Sequence, residues 1–380
     1  MPKTGIKVCH LINTLSAGGG ELHLLTLCQH LEQQGVTSVV AVLKEYVKGS
    51  RSLRADFEKG GIRTIKLHGE SHYDARVVYR LSRLLKREQP DILHTHLPRA
   101  DFVGVLAHIL YPRTPWICSI HDIYSKSWSG CWSLPFFARL WRRADSLIAI
   151  SQAVKDWLME EWHIPPEQVV VINYGIEVDR FWAPQMDERN AASDGNKRRA
   201  IGTIGRLEAR KGHETLIRAM PEILQRLPEA SLQIAGHDPW DYGQVLQAVI
   251  DDLGLERQVQ LLGFRDDVPA FLHGLDVFAL ASHSEGFGQV IIEAMAAGKP
   301  VVASRIAPFT EIVLEGETGL LVEPKNPKAF ADAICWLLMH PRQAQQMGKC
   351  GQERIRGHFS AERMAEQTLS LYHELLSRRR

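Results

Sequence analysis

The chain has 380 residues, of which 45% are hydrophobic and 23% are charged, and this composition excludes intrinsic disorder, collagen-like repeats and a coiled coil. Its 45 Lys and Arg residues nearly balance 44 Asp and Glu residues, so no global positive charge indicates a nucleic-acid partner. Domains usually contain about 100 to 200 residues, and this length therefore predicts two domains.

Short apolar, β-rich runs alternate with segments of helical period through the first half of the chain. This pattern is typical of βα units on a parallel sheet. Helices are predicted between the strands, for example over residues 21–34, 75–87 and 152–162. The predicted strands are residues 6–12, 38–43, 64–67, 92–96, 116–121, 146–150 and 169–172.

The alternation stops between about residues 180 and 199, where the composition becomes polar, and a second series then begins. Its predicted strands are residues 200–204, 231–235, 259–262, 277–281, 300–303 and 320–322. The sequence therefore predicts an α/β protein with two Rossmann-like parallel-sheet domains facing across a cleft. The predicted boundaries are 1–180 for the N-terminal domain, 181–196 for a linker, 197–360 for the C-terminal domain, and 361–380 for a helix that returns to the first domain.

Nothing in the sequence indicates a membrane span or a secretory signal. No apolar run approaches the 18 to 20 or so residues that cross a bilayer, and the first residues lack a long apolar stretch. The six cysteines include no Cys-x-x-Cys pair, which favours buried reduced thiols over disulfides or zinc ligation. We therefore expect a cytoplasmic protein.

A glycine-rich loop, Gly18-Gly19-Gly20-Glu21, follows the first predicted strand and leads directly into a helix. Glycines allow a close backbone approach, and a helix N-terminus offers N–H groups to an anion. The loop lacks both the Gly-x-Gly-x-x-Gly spacing and a Walker lysine, so it does not indicate a dinucleotide or P-loop enzyme. A phosphate contact and a tight turn are both compatible with it.

The first strand of the second domain runs into Gly205 and Arg206, and Lys211 follows five residues after Arg206. Two fixed cations at a strand end can stabilise the charge of a departing diphosphate without a metal ion. A solvated, charged loop is the alternative interpretation.

The segment from Glu285 to Glu293 is the most informative part of the chain. Glu285 lies in the loop after a predicted strand, and Glu293 lies eight positions on, about two turns into an otherwise apolar helix. A buried carboxylate at that position needs hydrogen-bond partners. Ribose or sugar hydroxyl groups would serve as such partners.

Several polar residues lie at predicted strand ends of the first domain. His94 and His96 share one strand face, but no third metal ligand is evident, so packing at the strand end is favoured over metal binding. His121 and Asp122 are adjacent in an extended segment and point to opposite faces, which excludes a catalytic dyad. Ser151 precedes a predicted helix and is an N-cap candidate, with an acceptor contact as the second interpretation.

Several ordered motifs together resemble the retaining GT-B glycosyltransferases of family 4, over essentially the whole chain. The motifs are the Gly18-Gly19-Gly20-Glu21 loop, Pro90 to His96, His121-Asp122, Ser151, Val171 to Phe181, Gly205-Arg206-Leu207, Lys211-Gly212, Glu285 with Glu293, and Gly316-Glu317-Thr318-Gly319. The resemblance implies a GT-B fold with an acceptor-side first domain, a second domain that binds a nucleotide-diphosphate sugar, and no cofactor.

The same resemblance implies a role for each matching residue. Arg206 and Lys211 match the cations that bind the diphosphate, and Glu293 matches the carboxylate that binds the ribose. Glu285 matches the carboxylate near the donor sugar, and His121 matches a histidine that reaches this sugar from the opposite domain. The other implied donor contacts are Gly18, Gly19, Gly205, Gly286, Phe287 and Gly288, with Phe264 and Arg265 beside the nucleobase, and the implied acceptor-side residues are His96, Asp122, Ser151 and Tyr174.

One position departs from the family pattern. The chain has Asn173-Tyr174-Gly175-Ile176-Glu177 where the family usually has Asn-Gly-Val/Ile-Asp before the linker. Tyr174 therefore occupies the usual asparagine position, and no contact of that asparagine is carried over.

The implied reaction is a front-face substitution in which the departing diphosphate takes the acceptor proton, with no essential metal. Double displacement would need two carboxylates about 5 Å apart around the anomeric carbon, whereas Glu285 and Glu293 match sugar and ribose contacts. The protein would then contribute positioning and charge stabilisation. The chain contains no Asp-x-Asp motif.

We therefore expect a retaining hexosyltransferase that acts on a saccharide or lipid-linked acceptor in cell-envelope polysaccharide or lipopolysaccharide biosynthesis. A UDP-sugar is favoured over GDP-mannose as the donor. Two alternatives remain open: a sugar-nucleotide epimerase on the same fold, and a non-catalytic protein that binds a sugar nucleotide.

Two predicted helices of the first domain carry basic residues beside apolar ones. Arg83 and Lys86 lie near Tyr79 in one helix, and Arg139 lies near Trp141 in the other. Such helices either pack against a core or dock on an anionic membrane surface. Docking would place the protein peripherally at the inner face of the cytoplasmic membrane.

Overall fold

The structure is a computed structural model. It describes residues 5–44, 51–69, 74–124, 133–182 and 199–379. All but the first two residues of the predicted linker at 181–196 lie outside these ranges. Cys131 also lies outside them. The chain divides into two compact units, the first being Met1–Ile176 with Ser360–Arg380 and the second Glu177–Phe359.

The first unit is built on a seven-stranded parallel sheet with the strand order β3-β2-β1-β4-β5-β6-β7. Its strands are β1 (Lys7–Ile12), β2 (Thr37–Val42), β3 (Arg63–Lys66), β4 (Ile92–His96), β5 (Trp116–Ile120), β6 (Ser146–Ala149) and β7 (Val169–Val171). Its first six helices are α1 (Gly19–Gln33), α2 (Arg54–Lys59), α3 (Ala75–Glu88), α4 (Pro98–Leu110), α5 (Ser133–Trp141) and α6 (Gln152–Trp162).

The second unit is built on a six-stranded parallel sheet with the strand order β10-β9-β8-β11-β12-β13. Its strands are β8 (Arg199–Ile204), β9 (Ala230–Ala235), β10 (Val259–Gly263), β11 (Val277–Leu280), β12 (Val301–Ser304) and β13 (Gly319–Val322). Its helices are α7 (Val178–Phe181), α8 (His213–Arg226), α9 (Tyr242–Asp252), α10 (Val268–His273), α11 (Gln289–Ala296), α12 (Ala307–Ile312), α13 (Pro327–Met339) and α14 (Pro341–His358). The predicted α/β class with two Rossmann-like parallel sheets is confirmed.

The last helix, α15 (Ala361–Ser377), belongs to the first unit. Its Tyr372 is fully buried in a cluster with Val8, Ile92 and Ile117, which lie on β1, β4 and β5. Burial of a large apolar side chain contributes about 1.5–3 kcal/mol. The helix therefore completes one face of the first sheet.

The described cysteines are unbridged, and four of the five are buried. Burial raises the pKa of the Cys9 thiol to about 12, so this thiol is neutral at physiological pH. Cys350 is the partly exposed one. Among the helices of the described ranges, none combines the length and the apolar composition that crossing a bilayer requires.

Both sheets contain a point at which the strand order reverses. In the first sheet β1 pairs with both β2 and β4, and in the second sheet β8 pairs with both β9 and β11. The loops that leave the carboxyl ends of two such central strands diverge, and ligands of open α/β sheets bind in the resulting crevice. Each unit thus has one preferred ligand position at a sheet edge.

Gly175 makes a close backbone approach that generates a stability prediction. A Cβ atom at position 175 would lie 2.2 Å from the carbonyl oxygen of Ser360, next to the point where Ala361 N donates to Ile176 O at 3.0 Å. Because the obstacle is backbone, we expect G175A to displace the start of α15 and to destabilise the first unit by about 1–3 kcal/mol. Thermal unfolding followed by circular dichroism measures this loss.

The control is G357A, since a Cβ atom at position 357 meets nothing within 4 Å. This variant is expected to unfold at or above the wild-type temperature. Equal unfolding temperatures for G175A and the wild type would contradict the close approach.

Candidate functional site

The loops that follow β8 and β11 meet at the carboxyl edge of the second sheet. The backbone N–H of His283 donates to the carbonyl oxygen of Arg210 at 2.8 Å. Gly212 has a φ of +65°, and a Cβ atom there would lie 2.0 Å from the carbonyl oxygen of Ala281. Only glycine meets both conditions without strain, so Gly212 holds the two loops together.

Lys211 and Glu285 form a largely buried ion pair between these loops. The Lys211 ammonium lies 2.5 Å from Glu285 Oε1, and the two side chains are 16% and 10% exposed. The Ser282 hydroxyl donates to the same carboxylate oxygen at 2.9 Å. Burial would raise the pKa of Glu285, but the positive charges of Lys211 and Arg210, together with the hydrogen bonds from Lys211 and Ser282, hold this pKa below its usual range. Glu285 is therefore ionised at neutral pH.

Arg206 extends from the same loop and is half exposed. Its guanidinium lies 3.2 Å from Glu208 Oε1 and 5.4 Å from the ring centroid of Trp240. The sequence predicts two cations here, and the structure gives each of them a carboxylate partner, Glu208 for Arg206 and Glu285 for Lys211. Trp240, which is 59% exposed, was not singled out in the sequence because nothing in its spacing connects it to Arg206.

Glu293 lies on α11 and is partly buried. Gln289 Nε2 donates to Glu293 Oε1 at 3.1 Å. Burial raises the pKa of Glu293 to about 7, so its charged and neutral forms coexist near neutral pH. Gln289, one helical turn away, is therefore one of the hydrogen-bond partners that the sequence analysis expected for this carboxyl group.

The other predicted donor residues of the second unit flank these side chains along the chain. Gly205 follows β8 directly, and the segment Gly286, Phe287 and Gly288 connects Glu285 to α11. Phe264 and Arg265 follow β10, with Phe264 49% exposed. Gly286 and Phe287 are buried.

The glycine-rich loop of the first unit starts α1. Gly18 is the N-cap residue and Gly19 the first helical residue. The Glu21 side chain folds back beside them, since a Cβ atom at position 18 would lie 2.8 Å from Glu21 Oε2. Thr14 Oγ1 donates to the other Glu21 carboxylate oxygen at 3.2 Å. The loop thus offers a carboxylate as well as backbone N–H groups.

Buried histidines gather at the strand reversal of the first sheet. His10 on β1 lies opposite His94 on β4 in the strand register. His10 Nδ1 is 3.2 Å from His96 Nε2, and His96 Nδ1 is 3.2 Å from His121 Nε2. His121 Nδ1 is 2.5 Å from the Tyr174 hydroxyl. The sequence offered no third partner for His94 and His96, because the pairing of β1 with β4 is what brings His10 beside them.

Three of these rings have the composition of a metal site. His10, His94 and His96 each offer a ring nitrogen, and these nitrogens lie within 4.8 Å of one another. However, His94 Nδ1 lies 2.7 Å from the Tyr372 hydroxyl and His94 Nε2 lies 2.7 Å from the Ser119 hydroxyl. Hydrogen bonds between side chains therefore account for the arrangement of this group.

The predicted acceptor-side residues differ in their accessibility. Ser151 is fully buried, and its hydroxyl accepts from Val154 N at 3.1 Å, which confirms the predicted N-cap of α6. His96 is also fully buried. Asp122 is partly exposed, and its carboxylate accepts from Ile123 N at 2.9 Å. Ser151 and His96 are therefore buried and hydrogen-bonded within the protein, whereas Asp122 is partly exposed.

Two sequence families match the chain in succession. Residues 17–180 match the family described as Glycosyltransferase Family 4, and residues 185–354 match Glycosyl transferases group 1. An uncharacterized glycosyltransferase from Methanocaldococcus jannaschii is 30% identical over 306 residues, which cover 76% of each chain. A GDP-mannose-dependent alpha-(1-6)-phosphatidylinositol monomannoside mannosyltransferase from Mycolicibacterium smegmatis is 37% identical over 201 residues, half of each chain.

A similar solved structure is that of HepE from Anabaena in complex with UDP and glucose. It has a TM-score of 0.84 and 25% sequence identity, and the alignment covers 96% of this chain and 99% of HepE. The likeness extends through both units.

The Lys211 and Glu285 pair generates a stability prediction. K211M would leave a buried, ionised carboxylate without its cation, and breaking a buried pair in this way costs about 3 kcal/mol. Since the folded pKa of Glu285 lies below its ordinary value of 4.5, the contribution of the pair is complete above pH 4.5 and is lost as the pH falls through the folded pKa. The stability gap between K211M and the wild type should therefore narrow in acid.

Denaturant unfolding at pH 7 and in acid measures this gap. The double variant K211M/E285Q should recover most of the stability at pH 7, because no unpaired charge remains. The control R218M removes the exposed partner of Glu214 and should cost no more than about 1 kcal/mol. Equal losses for K211M and R218M would rule out a buried pair.

Proposed function

Because the chain belongs to family 4 of the GT-B glycosyltransferases, we propose that it transfers a hexosyl unit from a nucleotide-diphosphate sugar to a saccharide or glycolipid acceptor with retention of configuration. The buried Lys211 and Glu285 pair at the strand reversal of the second sheet is the observation that carries this proposal. It places an ionised carboxylate and an ammonium group at the edge where ligands of such sheets bind.

The two cations of the second unit are proposed to bind the diphosphate. An ammonium group has three N–H donors, and the Glu285 carboxylate accepts one from Lys211. Arg206 is half exposed and offers a planar fork of donors that suits phosphate oxygens. Charges fixed in this way stabilise the negative charge that develops on a departing diphosphate.

Two carboxyl groups are proposed to hold the sugars of the donor. Glu285, with the backbone of Gly286, Phe287 and Gly288, would bind hydroxyl groups of the transferred hexose. Glu293 would accept from the ribose hydroxyls, which is compatible with a carboxyl group whose pKa is raised to about 7 by burial. Bound hydroxyl donors favour the ionised form of this group.

The remaining donor contacts are proposed by position along the chain. The backbone of the loop after β10 would border the base, and the loop before α1 would approach the phosphate or sugar. The proposed residues are Gly205, Phe264 and Arg265 in the second unit and Gly18, Gly19 and His121 in the first, with Asp122, Ser151, His96 and Tyr174 on the acceptor side.

The proposed chemistry is a front-face substitution. The bond from the anomeric carbon to the diphosphate oxygen breaks, and the acceptor oxygen bonds to the same face of that carbon. The acceptor proton passes to the departing diphosphate. Since Glu285 and Glu293 are assigned to hexose and ribose, the protein contributes orientation and charge stabilisation.

The donor is proposed to be a UDP-hexose, with GDP-mannose as the alternative. The HepE structure, similar over nearly the whole chain, contains UDP and glucose. The mycobacterial relative that uses GDP-mannose is more identical in sequence, but the match covers half of the chain. Cell-envelope polysaccharide or lipopolysaccharide assembly is the proposed setting.

The transfer proposal is tested with UDP-glucose, UDP-galactose, UDP-N-acetylglucosamine and GDP-mannose, by thermal shift and by product analysis. We expect one donor to raise the unfolding temperature and to be cleaved slowly to nucleoside diphosphate and free sugar, because water replaces the missing acceptor. R206Q should lower the cleavage rate by about 100-fold, in line with the loss of one oxyanion donor. R218Q, a change of an exposed arginine in the same unit, should leave it unchanged.

Three outcomes would contradict transfer. Conversion of the donor to an isomeric sugar nucleotide would indicate an epimerase. Binding without turnover, with or without a panel of saccharide and glycolipid acceptors, would indicate a non-catalytic binding protein. No thermal shift with any nucleotide sugar would remove the donor assignment.

A membrane surface is a further proposed partner, and the structure favours α3 over α5 as the docking element. Tyr79 on α3 is 62% exposed, and Ile109 and Leu110 at the end of α4 are 53% and 59% exposed. They border a groove of about 440 Å³ between the two helices. The exposed basic residues of α3 are Arg76, Arg80, Arg83, Lys86 and Arg87. On α5, by contrast, Trp141 is fully buried.

Vesicle co-sedimentation tests this docking. Each basic residue near an anionic surface contributes about 1 kcal/mol, so R83E/K86E should weaken binding to phosphatidylglycerol vesicles by roughly 30-fold or more at low salt. R139E/R143E, which changes Arg139 on α5 and Arg143 in the turn after it, is the matched control and should bind as the wild type does. If only R139E/R143E lost binding, the assignment of docking to α3 would be wrong. If the wild type did not bind the vesicles, the docking proposal would be refuted.

A further inference from the structure

A continuous chain of three buried histidines ends at Tyr174. It runs from His10 through His96 and His121 to the Tyr174 hydroxyl, with contacts of 3.2, 3.2 and 2.5 Å. At its inner end, His10 Nε2 is buried and has no hydrogen-bond partner in the described part of the chain. This series of hydrogen bonds therefore begins at His10, in the core, and ends at the Tyr174 hydroxyl.

The three imidazoles of this chain are neutral. Burial lowers the pKa of His10 and of His121 to about 3. Burial, followed by the neighbouring histidines, lowers the pKa of His96 well below its usual range. A neutral imidazole carries one N–H and one nitrogen lone pair, so each ring can donate one hydrogen bond and accept one.

This restriction couples the tautomers of the three rings. If His121 carries its proton on Nδ1, it donates to Tyr174 and must accept from His96, and His96 must then accept from His10. If Tyr174 donates to His121 instead, every bond reverses. Only two arrangements satisfy all three contacts, and a change at one ring changes the other two.

The unpartnered nitrogen of His10 selects between the two arrangements. When the bonds point toward Tyr174, His10 Nε2 holds a lone pair. When they point away, His10 Nε2 holds a buried N–H without an acceptor, and buried N–H groups of this kind are rarely tolerated. The favoured arrangement therefore has Nδ1–H at all three histidines and Tyr174 as the final acceptor.

We propose that Tyr174 is a positioning residue that fixes the ring and the Nδ1–H tautomer of His121. Both ring nitrogens of His121 are then engaged, Nδ1 with Tyr174 and Nε2 with His96. His121 consequently faces a ligand with its ring edge and backbone and does not act as a general base. For catalysis this inference rests on the proposed transfer function, in which His121 contacts the donor sugar.

The ring of Tyr174 is itself held in place. It stacks on His23 with 4.1 Å between ring centroids and 21° between planes. Burial, with the negative charges of Glu21 and Asp122, raises the pKa of the Tyr174 phenol well above its usual range. The hydroxyl therefore remains protonated and can accept from His121 while keeping its own proton.

Nitrogen-15 NMR of the full chain with labelled histidine reads the tautomers directly, without any substrate. Single histidine substitutions assign the signals. We expect the wild type to show neutral Nδ1–H rings at His10, His96 and His121. Nε2–H at any of these three rings would overturn the proposal.

Y174F removes the final acceptor, after which an unpaired N–H is left at one end of the chain in either arrangement. We therefore expect the nitrogen shifts of all three histidines to move toward a mixture of tautomers, including those of His10, which is two rings away from the substitution. A change confined to His121 would overturn the coupling. Y372F is the matched control, because the Tyr372 hydroxyl contacts His94, which is not one of the three coupled histidines. This variant should leave the nitrogen shifts of His10, His96 and His121 unchanged.

Kinetics then separates positioning from the transfer function. With the donor found in the cleavage assay, Y174F should lower kcat roughly tenfold at little change in KM, less than the ~100-fold that a misplacement of 1 Å can cost. Wild-type kcat in a variant whose tautomers have changed would refute a catalytic positioning role. If the tautomers were coupled but the protein cleaved no donor, the inference about the histidines would stand and the proposed transfer function would be refuted.

Discussion

The reversal of strand order at the centre of each sheet is the constraint from which the other features follow. Since all strands are parallel, the side chains that end neighbouring strands meet at one edge, and only at β1/β4 and β8/β11 do the following loops diverge. The buried histidines occupy the first of these positions, and the Lys211 and Glu285 pair occupies the second. Polar chemistry is thus concentrated where the backbone leaves room for it.

The two positions solve the burial of polar groups differently. In the second unit, opposite charges compensate each other, with Lys211 beside Glu285 and Arg206 beside Glu208. In the first unit, neutral rings satisfy one another through hydrogen bonds. An ion pair retains charge that can act on a ligand, whereas a neutral chain gives fixed orientation with no net charge.

Local sequence was sufficient for the strands but not for the partners of the polar residues. The strands predicted at 92–96 and 200–204 end where β4 and β8 end, because apolar runs bounded by polar segments define them. The N-cap role of Ser151 was also predictable from local sequence, because serine is a preferred residue directly before a helix. The contact of Tyr174 with His121 and that of Trp240 with Arg206 join residues distant in sequence, and no spacing rule connects such residues. Lys211 was predictable as a cation, but its carboxylate partner lies 74 residues away.

The position of α15 has a consequence for the order in which the protein matures during synthesis. The first unit combines Met1–Ile176 with Ser360–Arg380, and the second unit lies between them. Val8 and Ile92 emerge from the ribosome long before Tyr372, which covers them. The part of this sheet face that α15 covers therefore stays exposed while the whole second unit is being translated. The second unit can therefore complete its folding before the first unit does. Until α15 has been synthesised, chaperones can bind the exposed part of the N-terminal sheet.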